Sequence, residues 1–294
     1  MCEVLSIDNN RGRSHDKCEH TAFINNSCAW CKKTLQDCND PTTVPFRYID
    51  PNFSLTVDAI RHLRDRNFKT LVNRKKLHLV LDLDNTLIHS ISTTRERITL
   101  IDRKKIKTVY KDVYEILGGD RLVKVRPGAR SFLEQATALF DLSIYTMAGE
   151  DYAKEVSRVL RSKVCEKRVR FETVISNEHS TKPGRKGLDV VLSHEPAVLI
   201  VDDLVEVWRD EHKGNVINIK PYKFFKKRRP WVTFVEDDQE LPRVLSILRK
   251  VHEIFYVEDE GDYAGKDVRQ ILNKIQIESP TDGLLCGLLT LKLI

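Results

Sequence analysis

The chain contains 294 residues, 41% of them hydrophobic and 31% charged, and its formal net charge at pH 7 is +6. This length allows one large domain with attachments or two small domains, with enough apolar residues for a full core. The charge content and the lack of an apolar run long enough to span a bilayer argue against a membrane protein, and the N-terminus lacks the pattern of a secretory signal. The positive charge permits acidic or phosphorylated partners but does not establish them.

A cysteine cluster opens the chain, with five of the seven cysteines in the first 38 residues. Without a secretory signal we expect a reducing compartment rather than a disulfide-stapled scaffold. C-x-x-C spacing is typical of half a tetrahedral zinc site, and so small and polar a segment is expected to need the metal to fold. The predicted ligands of a structural zinc ion are Cys18, His20, Cys28 and Cys31. Cys2 and Cys38 are alternate ligands, and free thiols in a disordered tail are the alternative interpretation.

The next stretch joins this cluster to the first strong strand pattern. Residues 39–51 contain three prolines and are predicted to be a linker. Residues 54–73 have partial helical spacing of apolar side chains, with charged residues on the polar faces. They are predicted to form a surface helix that packs on the following domain.

The stretch 77–90, LHLVLDLDNTLIHS, organises the chain. Its apolar run predicts a buried strand of a parallel sheet, which delivers Asp82 and Asp84 near its end with Thr86 just beyond. Since residues i and i+2 of a strand point to the same side, both carboxylates are expected to face one small volume. Two close anions at the mouth of an apolar sheet repel each other, and a bound Mg²⁺ is the usual remedy.

These aspartates have two other interpretations. They would suit a turn after a strand, but Asp82 interrupts the apolar run itself. A calcium loop of the EF-hand type needs glycine at its sixth position and glutamate at its twelfth, where this chain has Leu87 and Thr93. The calcium loop is therefore rejected.

The D-x-D-x-T pattern after a buried strand resembles the first signature of the haloacid dehalogenase (HAD) phosphotransferase superfamily. This resemblance implies three later signatures, and the sequence offers each of them in order. A second core strand ends at Thr146, whose hydroxyl is expected to bind the phosphoryl group. Lys182 and Lys186 are candidates for the neutralising lysine, and Lys186 is favoured because it begins a helical-looking segment. A last buried strand leads into Asp202 and Asp203.

Other segments have weaker patterns. Residues 92–120 are charged and rich in β-branched side chains, and they are predicted to be extended strands or a hairpin inserted over the site. HAD enzymes carry substrate-selecting caps at such a position, and a plain surface hairpin is the alternative. Elsewhere the patterns predict a short strand over 172–176 and helices over 156–170, 240–256 and 265–277.

Four motifs narrow the resemblance, namely LVLDLDNTLIHS, VRPGARSFL, IYTMAGEDYA and VDDLVEVW. They resemble the RNA polymerase II C-terminal-domain phosphatases, in particular the larger type with a double Asp before V-x-V-W. The Cys-His-Cys-Cys segment followed by FRYI is most similar to the plant branch. The resemblance implies an α/β fold of HAD type, in which a doubly wound parallel sheet is flanked by helices. A β-hairpin insertion, an N-terminal zinc-knuckle-like segment and C-terminal helices complete the expected fold.

The resemblance also implies a role for each motif residue. Asp82 becomes an aspartyl-phosphate, and Asp84 protonates the serine leaving group and then activates water. Thr86 orients the loop, whereas Thr146 and Lys186 bind the transferring phosphoryl group. The implied Mg²⁺ ligands are Asp82, the main chain of Asp84, Asp203 and, in support, Asp202.

The chain departs from the family in two places. Family members usually have Arg-Asp where this chain has Asn177-Glu178. This difference is expected to affect contacts with the substrate rather than the catalytic reaction. The larger members end in a phosphopeptide-binding BRCT module, for which residues 279–294 are too short. The basic run 223–230 suits a nuclear localisation signal, a phosphopeptide-docking patch or a solvated loop. The aromatic residues beside it, Tyr222, Phe224, Phe225 and Trp231, are predicted to fill the core.

The predicted organisation is a zinc-binding segment (1–40), a linker and helix (41–75), the phosphatase domain (76–235), C-terminal helices (236–278) and a tail (279–294). The predicted function is that of a nuclear, Mg²⁺-dependent protein serine phosphatase. Its expected substrate is the phosphorylated C-terminal domain of the largest RNA polymerase II subunit, without direct nucleic-acid or membrane binding. A phosphatase of small metabolites and a non-catalytic binding protein that keeps the fold are the two alternatives.

Overall fold

The computed structural model describes residues 18–225, 238–257, 263 and 265–278. Its first part contains the strands β1 (Ala22–Ile24), β2 (Ser27–Cys28), β3 (Thr43–Pro45) and β4 (Phe53–Thr56). They form an antiparallel sheet in the order β2-β1-β4-β3. Asn25 and Asn26 both have positive φ angles and make the two-residue turn between β1 and β2, a conformation that asparagine tolerates. We call residues 18–56 the Cys/His module.

The predicted linker over 39–51 is wrong at β3, which pairs with β4 along the edge of this sheet. Proline is tolerated on an edge strand because its missing N–H is not needed for pairing there. Phe46 and Phe53 are fully buried in a small core within the module. The buried aromatic side chains of this core come from residues 43–55, outside the predicted 1–40 segment.

A helix connects the module to the rest of the chain. This helix, α1 (Val57–Asn73), begins after Thr56, whose hydroxyl accepts a hydrogen bond from the Ala59 N–H at 3.2 Å. Such a side-chain cap satisfies one of the backbone donors that a helix leaves free at its first turn. The predicted surface helix is confirmed, although its first expected residues belong to β4.

From Leu77 onwards, the described residues form a longer series of strands and helices. The strands are β5 (Leu77–Leu81), β6 (Ile88–Ser92), β7 (Val113–Ile116), β8 (Arg121–Val125), β9 (Phe140–Tyr145), β10 (Phe171–Ile175), β11 (Val198–Asp202) and β12 (Val216–Asn218). The helices are α2 (Leu100–Val109), α3 (Ala129–Leu139), α4 (Glu150–Val159), α5 (Glu240–Val257) and α6 (Val268–Glu278). A π-helical turn, Leu160–Val164, continues α4, so the predicted helix over 156–170 is only partly present.

The central layer is a five-stranded parallel sheet in the order β10-β9-β5-β11-β12. Neighbouring residues of β5 face opposite sides, as a strand requires. Leu79 lies in the larger core with residues of α3, α4, α5 and α6, whereas Val80 lies in a second core with Tyr145 and Trp208. The predicted parallel sheet and both C-terminal helices are confirmed. Among the residues that the structure describes, no helix combines the length and apolar character needed to cross a membrane.

The insertion between β5 and α3 is a three-stranded antiparallel sheet in the order β6-β8-β7, with α2 before β7. The predicted hairpin is present as β7 and β8, but the extended prediction is wrong for Leu100–Val109, which is helical. Thr99 and Asp102 form a capping box at the start of α2, each side chain bonding the backbone N–H of the other at 3.1 Å. This cap stabilises the helix although the segment is rich in β-branched residues, which favour strands.

Three of the aromatic residues predicted to fill core do so. Tyr222, Phe224 and Phe225 are each 6% exposed and pack in the core of the insertion. The ring Nδ1 of His89 accepts the backbone N–H groups of Phe224 and Phe225 at 2.9 and 3.0 Å. Trp231 and most of the basic run lie outside the described residues.

A buried histidine in β5 gives the fold a testable pH dependence. The ring nitrogens of His78 bond the hydroxyls of Ser193 and Ser143 at 2.6 and 2.9 Å. Burial lowers the pKa of His78 from 6.5 to about 4. The unfolded chain therefore takes up this proton at a higher pH than the folded chain, and the free energy of unfolding falls as the pH drops from 6.5 to about 4.

Replacing His78 tests this dependence. Glutamine can still bond the serines but does not titrate, so His78→Gln should reduce the stability lost between about pH 7 and about pH 5 by about 2 kcal/mol. Urea unfolding of variant and wild type at both pH values measures the difference. Equal losses in the two proteins would show that His78 does not carry this dependence.

Candidate active site

Three carboxylates meet at the carboxyl edge of the parallel sheet. Asp82 follows β5, Asp202 ends the neighbouring β11, and Asp203 comes next. Because parallel strands end at the same edge, oxygens of the three carboxylates lie within 4.8 Å of one another. Asp82 is 6% exposed and Asp202 is 1% exposed, so most of this negative charge lies below the surface.

The Lys186 ammonium lies between two of these carboxylates. It donates to Asp82 Oδ1 at 2.6 Å and to Asp202 Oδ2 at 2.7 Å, and Lys186 is 1% exposed. Its Nζ also lies 5.8 Å from the centre of the Tyr145 ring and 5.5 Å from that of Trp208. The structure therefore brings Lys186 to the predicted site, whereas Lys182 is exposed. The helical-looking segment after Lys186 contains only a short 3-10 turn, Leu188–Val190.

The charges at this site are strongly coupled. Burial raises the pKa of Asp82 to about 7, against the opposing effect of Lys186. Burial alone would lower the pKa of Lys186, but the charges of Asp82 and Asp202 raise it overall. Burial and the neighbouring Asp202 raise the pKa of Asp203. Lys186 therefore stays charged and opposes the rise that burial causes in the pKa of Asp82.

The donor set fits a magnesium ion. Three carboxylates and one ammonium leave an excess of two negative charges at the site. Carboxylate oxygens are the ligands that Mg²⁺ prefers, and the ion's charge would balance the excess. Asp82, Asp202 and Asp203 would hold the ion.

The loop after β5 is fixed by Thr86 and a buried arginine. Thr86 is fully buried, and its Oγ1 accepts the Asp203 N–H at 3.2 Å, which ties the loop to the end of β11. The Arg126 guanidinium donates to the carbonyls of Thr86 and Asn85 at 3.0 and 3.3 Å and to the Asp238 carboxylate at 2.8 Å. The loop backbone is therefore held from two sides.

The Asp84 carboxylate has different partners from that of Asp82. Its Oδ1 accepts the Tyr152 hydroxyl at 2.6 Å and the Ser90 hydroxyl at 3.1 Å. Burial raises the pKa of Asp84, and these two hydrogen bonds oppose the rise. The Asp84 carboxylate is not among the three carboxylates whose oxygens lie within 4.8 Å of one another, but its charge contributes to the rise in the pKa of Asp82.

Thr146 lies where the sequence predicts it, at the end of β9, and is 1% exposed. Its Oγ1 accepts the Ala148 N–H at 3.1 Å, which shapes the turn that leads into α4. The N-terminus of a helix favours negative charge, so the start of α4 is suited to an anion.

The pair Asn177-Glu178, where the resemblance predicts Arg-Asp, lies at this same helix start. The Glu178 carboxylate accepts the Glu150 N–H at 2.8 Å and the Ser176 hydroxyl at 2.7 Å, and the Asn177 N–H bonds the Ala148 carbonyl at 3.1 Å. Glu178 therefore satisfies one of the backbone donors in the first turn of α4.

Four residues of the site are absent from the sequence-based prediction. Trp208 donates its indole N–H to Asp202 Oδ2 at 2.8 Å, and Arg126, Tyr152 and Ser90 make the contacts described above. All four stand within motifs that the sequence singles out, but the partners of Arg126 and Tyr152 are distant along the chain. Asp84 and Tyr152, for example, are 68 residues apart.

The predicted zinc ligands form a second cluster within the Cys/His module. Donor atoms of Cys18, His20, Cys28 and Cys31 all lie within 4.8 Å of one another. The Cys18 and Cys28 sulfurs are 3.6 Å apart, and the Cys31 sulfur is 3.3 Å from His20 Nδ1. Tetrahedral zinc would separate two sulfur ligands by about 3.8 Å. The set therefore fits a structural zinc ion, and Cys38 is not part of it.

Comparison with known proteins identifies related sequences. Residues 77–259, more than half of the chain, match the family model of NLI interacting factor-like phosphatases. The chain is 32% identical over 288 residues to RNA polymerase II C-terminal domain phosphatase-like 4 of Arabidopsis thaliana, covering 90% of this chain and 63% of that protein. It is 30% identical over 240 residues to phosphatase-like 3 of the same plant, covering 73% and 19%. The chain thus spans less than two thirds of these relatives.

A solved structure gives the same fold. The structure titled as Fcp1, an essential RNA polymerase II CTD phosphatase, matches with a TM-score of 0.59 and 24% identity, covering 77% of this chain and 80% of that one. The predicted HAD-type fold is confirmed by this likeness, and the predicted family resemblance is confirmed by the sequence comparisons. The chain therefore belongs to the family of NLI interacting factor-like phosphatases.

Proposed function

We propose that the chain is a Mg²⁺-dependent protein serine phosphatase that acts through an aspartyl-phosphate on Asp82. The observation that carries this proposal is the buried contact of Asp82 Oδ1 with the Lys186 ammonium at 2.6 Å. One oxygen of the carboxylate is thereby fixed, and the other is left to attack phosphorus. A carboxylate used in this way divides hydrolysis into two easier displacements.

In the first displacement, Asp82 Oδ2 forms a bond to phosphorus as the bond to the serine oxygen breaks. We assign the stabilisation of charge on the phosphoryl oxygens to Lys186 and Thr146. Asp84 gives its proton to the leaving serine oxygen, and its raised pKa favours the protonated form that this step needs.

In the second displacement, a water molecule attacks the phosphorus of the aspartyl-phosphate. Asp84, now ionised, takes a proton from this water, and the bond between phosphorus and Asp82 breaks to release inorganic phosphate. When bound, Mg²⁺ would neutralise carboxylate and phosphate oxygens and so reduce their mutual repulsion. We assign its binding to Asp82, Asp202 and Asp203, with the main chain of Asp84 as a further ligand.

The proposed substrate is phosphoserine in the C-terminal repeats of the largest RNA polymerase II subunit. Support comes from the names of the relatives, which describe phosphatases of the RNA polymerase II C-terminal domain in a plant, fission yeast and other organisms. A nuclear location follows from that substrate, and the basic residues from Lys223 onwards are consistent with it.

Phosphate release from a phosphoserine repeat peptide and from an aryl phosphate, with and without Mg²⁺, tests the proposal. We expect Mg²⁺-dependent release from both. Release from the aryl phosphate alone would replace the substrate assignment with a small-molecule phosphatase. A folded protein inactive on both would favour a non-catalytic binding protein.

Tyr152 should assist Asp84, because its hydroxyl fixes one oxygen of that carboxylate. Tyr152→Phe keeps the ring and removes this bond, so we expect kcat to fall about tenfold for substrates with poor leaving groups. Rates across aryl phosphates of increasing leaving-group pKa measure the effect, and the deficit should grow along the series. A deficit that is the same for every leaving group would contradict a role at Asp84.

We also propose that the Cys/His module holds a structural zinc ion. Purified protein should contain about one zinc ion per chain, and Cys31→Ser should lose it, because tetrahedral structural sites use all four ligands. Cys38→Ser is the matched control and should keep the metal. Metal analysis by mass spectrometry measures both, and equal zinc content in the two variants would contradict the ligand set.

A further inference from the structure

The loop that carries Lys186 lies between the three-carboxylate site and the Cys/His module. From Ser176 to Leu192, the described regular structure consists of two single 3-10 turns, Asn177–His179 and Leu188–Val190. Two short turns do not fix the position of the buried Lys186 ammonium. This position therefore depends on contacts between the loop and neighbouring elements.

On the side of the sheet, backbone bonds fix Lys186 itself. Its N–H donates to the Val207 carbonyl at 2.7 Å, and its carbonyl accepts the Arg209 N–H at 3.0 Å. On the same side, the Leu188 N–H donates to His212 Nδ1 at 3.4 Å and Arg209 contacts the Asp189 carboxylate at 3.1 Å. The Leu188 carbonyl accepts the Val191 N–H at 3.0 Å within the loop, and it and the Val191 carbonyl have further partners in α1.

Helix α1 supplies those partners through Arg64. Its guanidinium donates to the Leu188 carbonyl at 2.6 Å and to the Val191 carbonyl at 3.2 Å, and it lies 3.6 Å from the Glu195 carboxylate. The planar guanidinium presents its donors in a rigid arrangement, so these contacts fix direction as well as distance. Asn67, one turn further along α1, donates to the Leu192 carbonyl at 2.6 Å.

The Cys/His module contacts the other end of the loop. The Tyr48 ring packs edge-on against the His179 ring, with their centres 6.2 Å apart. Arg47 donates to the Ser180 carbonyl at 3.4 Å. Tyr48 also packs against the core cluster that contains Leu188 and Trp208, both neighbours of Lys186.

The metal cluster is joined to α1 by a short path. Thr21 follows the predicted ligand His20, and its carbonyl accepts the Thr56 N–H at 3.0 Å and the Thr56 hydroxyl at 3.4 Å. Thr56 caps α1, and Arg64 lies about two turns further along that helix. The four-ligand cluster is therefore connected to Arg64 through Thr21, Thr56 and helix α1.

We propose that Arg64, supported by the zinc-holding Cys/His module, positions the loop that carries Lys186 for phosphoryl transfer. Arg64 contacts the carbonyls of Leu188 and Val191 and would act through Lys186, so it is a positioning residue. Zinc binding thereby supports catalysis at a separate site. The predicted effect of Arg64 on the rate rests on the proposed function, whereas its predicted effect on the loop does not depend on activity.

The first arm of the test compares Arg64→Ala and Arg64→Lys with Arg61→Ala in the full-length chain. Arg61 lies one turn earlier in α1 with a side chain 64% exposed, paired only with the exposed Asp58 among the described contacts, so it is the matched control. Arg64→Ala should speed hydrogen exchange of the amides from 182 to 192 by about tenfold, with β5 unchanged. It should lower kcat on an aryl phosphate by about tenfold with KM nearly constant, and Arg64→Lys should be intermediate.

The second arm removes zinc from wild type with a chelator, then restores Mg²⁺. The same loop amides should exchange faster, and adding zinc back should reverse the change. Wild-type exchange of the loop in Arg64→Ala, or in zinc-free protein, would overturn the proposal. If wild type proves inactive on every phosphoester, the proposed function fails, whereas the exchange experiment still decides whether the loop is held in this way.

Discussion

Asp82→Asn should abolish turnover while leaving the fold intact. The amide has almost the shape of the carboxylate, and its oxygen can still accept a hydrogen bond from Lys186, which remains paired with Asp202 at 2.7 Å. An amide cannot form the aspartyl-phosphate, so we expect kcat to fall on the order of 10⁴-fold or more. Steady-state phosphate release with Mg²⁺ measures the loss, and thermal unfolding checks that the variant is folded.

A matched substitution elsewhere in the same sheet separates chemistry from structure. Asp141 in β9 is paired with Arg74 and Lys76 at a distance from the three-carboxylate site, so Asp141→Asn should retain nearly full activity. Turnover by Asp82→Asn close to that of Asp141→Asn would remove Asp82 from the role of nucleophile.

Lys186→Met should have the second-largest effect, and it should act on both rate and stability. The ammonium is buried between two carboxylates, and methionine fills much of the same space without charge. Losing this donor to the phosphoryl group should lower kcat by about 10²–10³-fold. Leaving buried carboxylates without their partner should lower the free energy of unfolding by about 3–5 kcal/mol in Mg²⁺-free buffer at neutral pH.

The pH dependence of this loss has a defined sign. Removing Lys186 removes the charge that opposes the rise in the pKa of Asp82, so that pKa should rise further. The destabilisation should therefore be largest at neutral pH and shrink as the pH falls and the carboxylate takes up a proton. Lys182→Met, at an exposed position of the same loop, is the control and should change stability by less than about 0.5 kcal/mol. Urea unfolding of both variants measures the change in stability. Similar losses of stability in Lys186→Met and Lys182→Met would contradict the expected role of Lys186.

Local patterns were enough to predict the sheet edge from the sequence. The apolar run of β5 ends at Asp82 and that of β11 ends at Asp202, so parallel pairing places their carboxylates together. The position of Thr146 was predicted in the same way, from the apolar strand that precedes it. The order of these motifs along the chain is specific because each stands beside its own strand.

The remaining contacts depend on packing between distant segments, which periodicity does not reveal. Tyr152 is on the buried face of α4, where an aromatic residue is ordinarily core, and only the structure shows its hydroxyl at Asp84. Arg64 resembles any arginine on a helix until the Leu188 carbonyl is seen beside it. The helix α2 could have been found from the Thr99 and Asp102 capping pattern, but its β-branched residues suggested strands.

The most direct test of the central claim is to locate the phosphoryl group on the enzyme during turnover. Wild type is mixed with labelled phosphoserine peptide and Mg²⁺, quenched in acid and reduced with borohydride, which converts an aspartyl-phosphate into homoserine. Peptide mass spectrometry then reads the position. We expect homoserine at position 82, and none in Asp82→Asn. Turnover without modification at position 82, or with homoserine at another aspartate, would contradict the account.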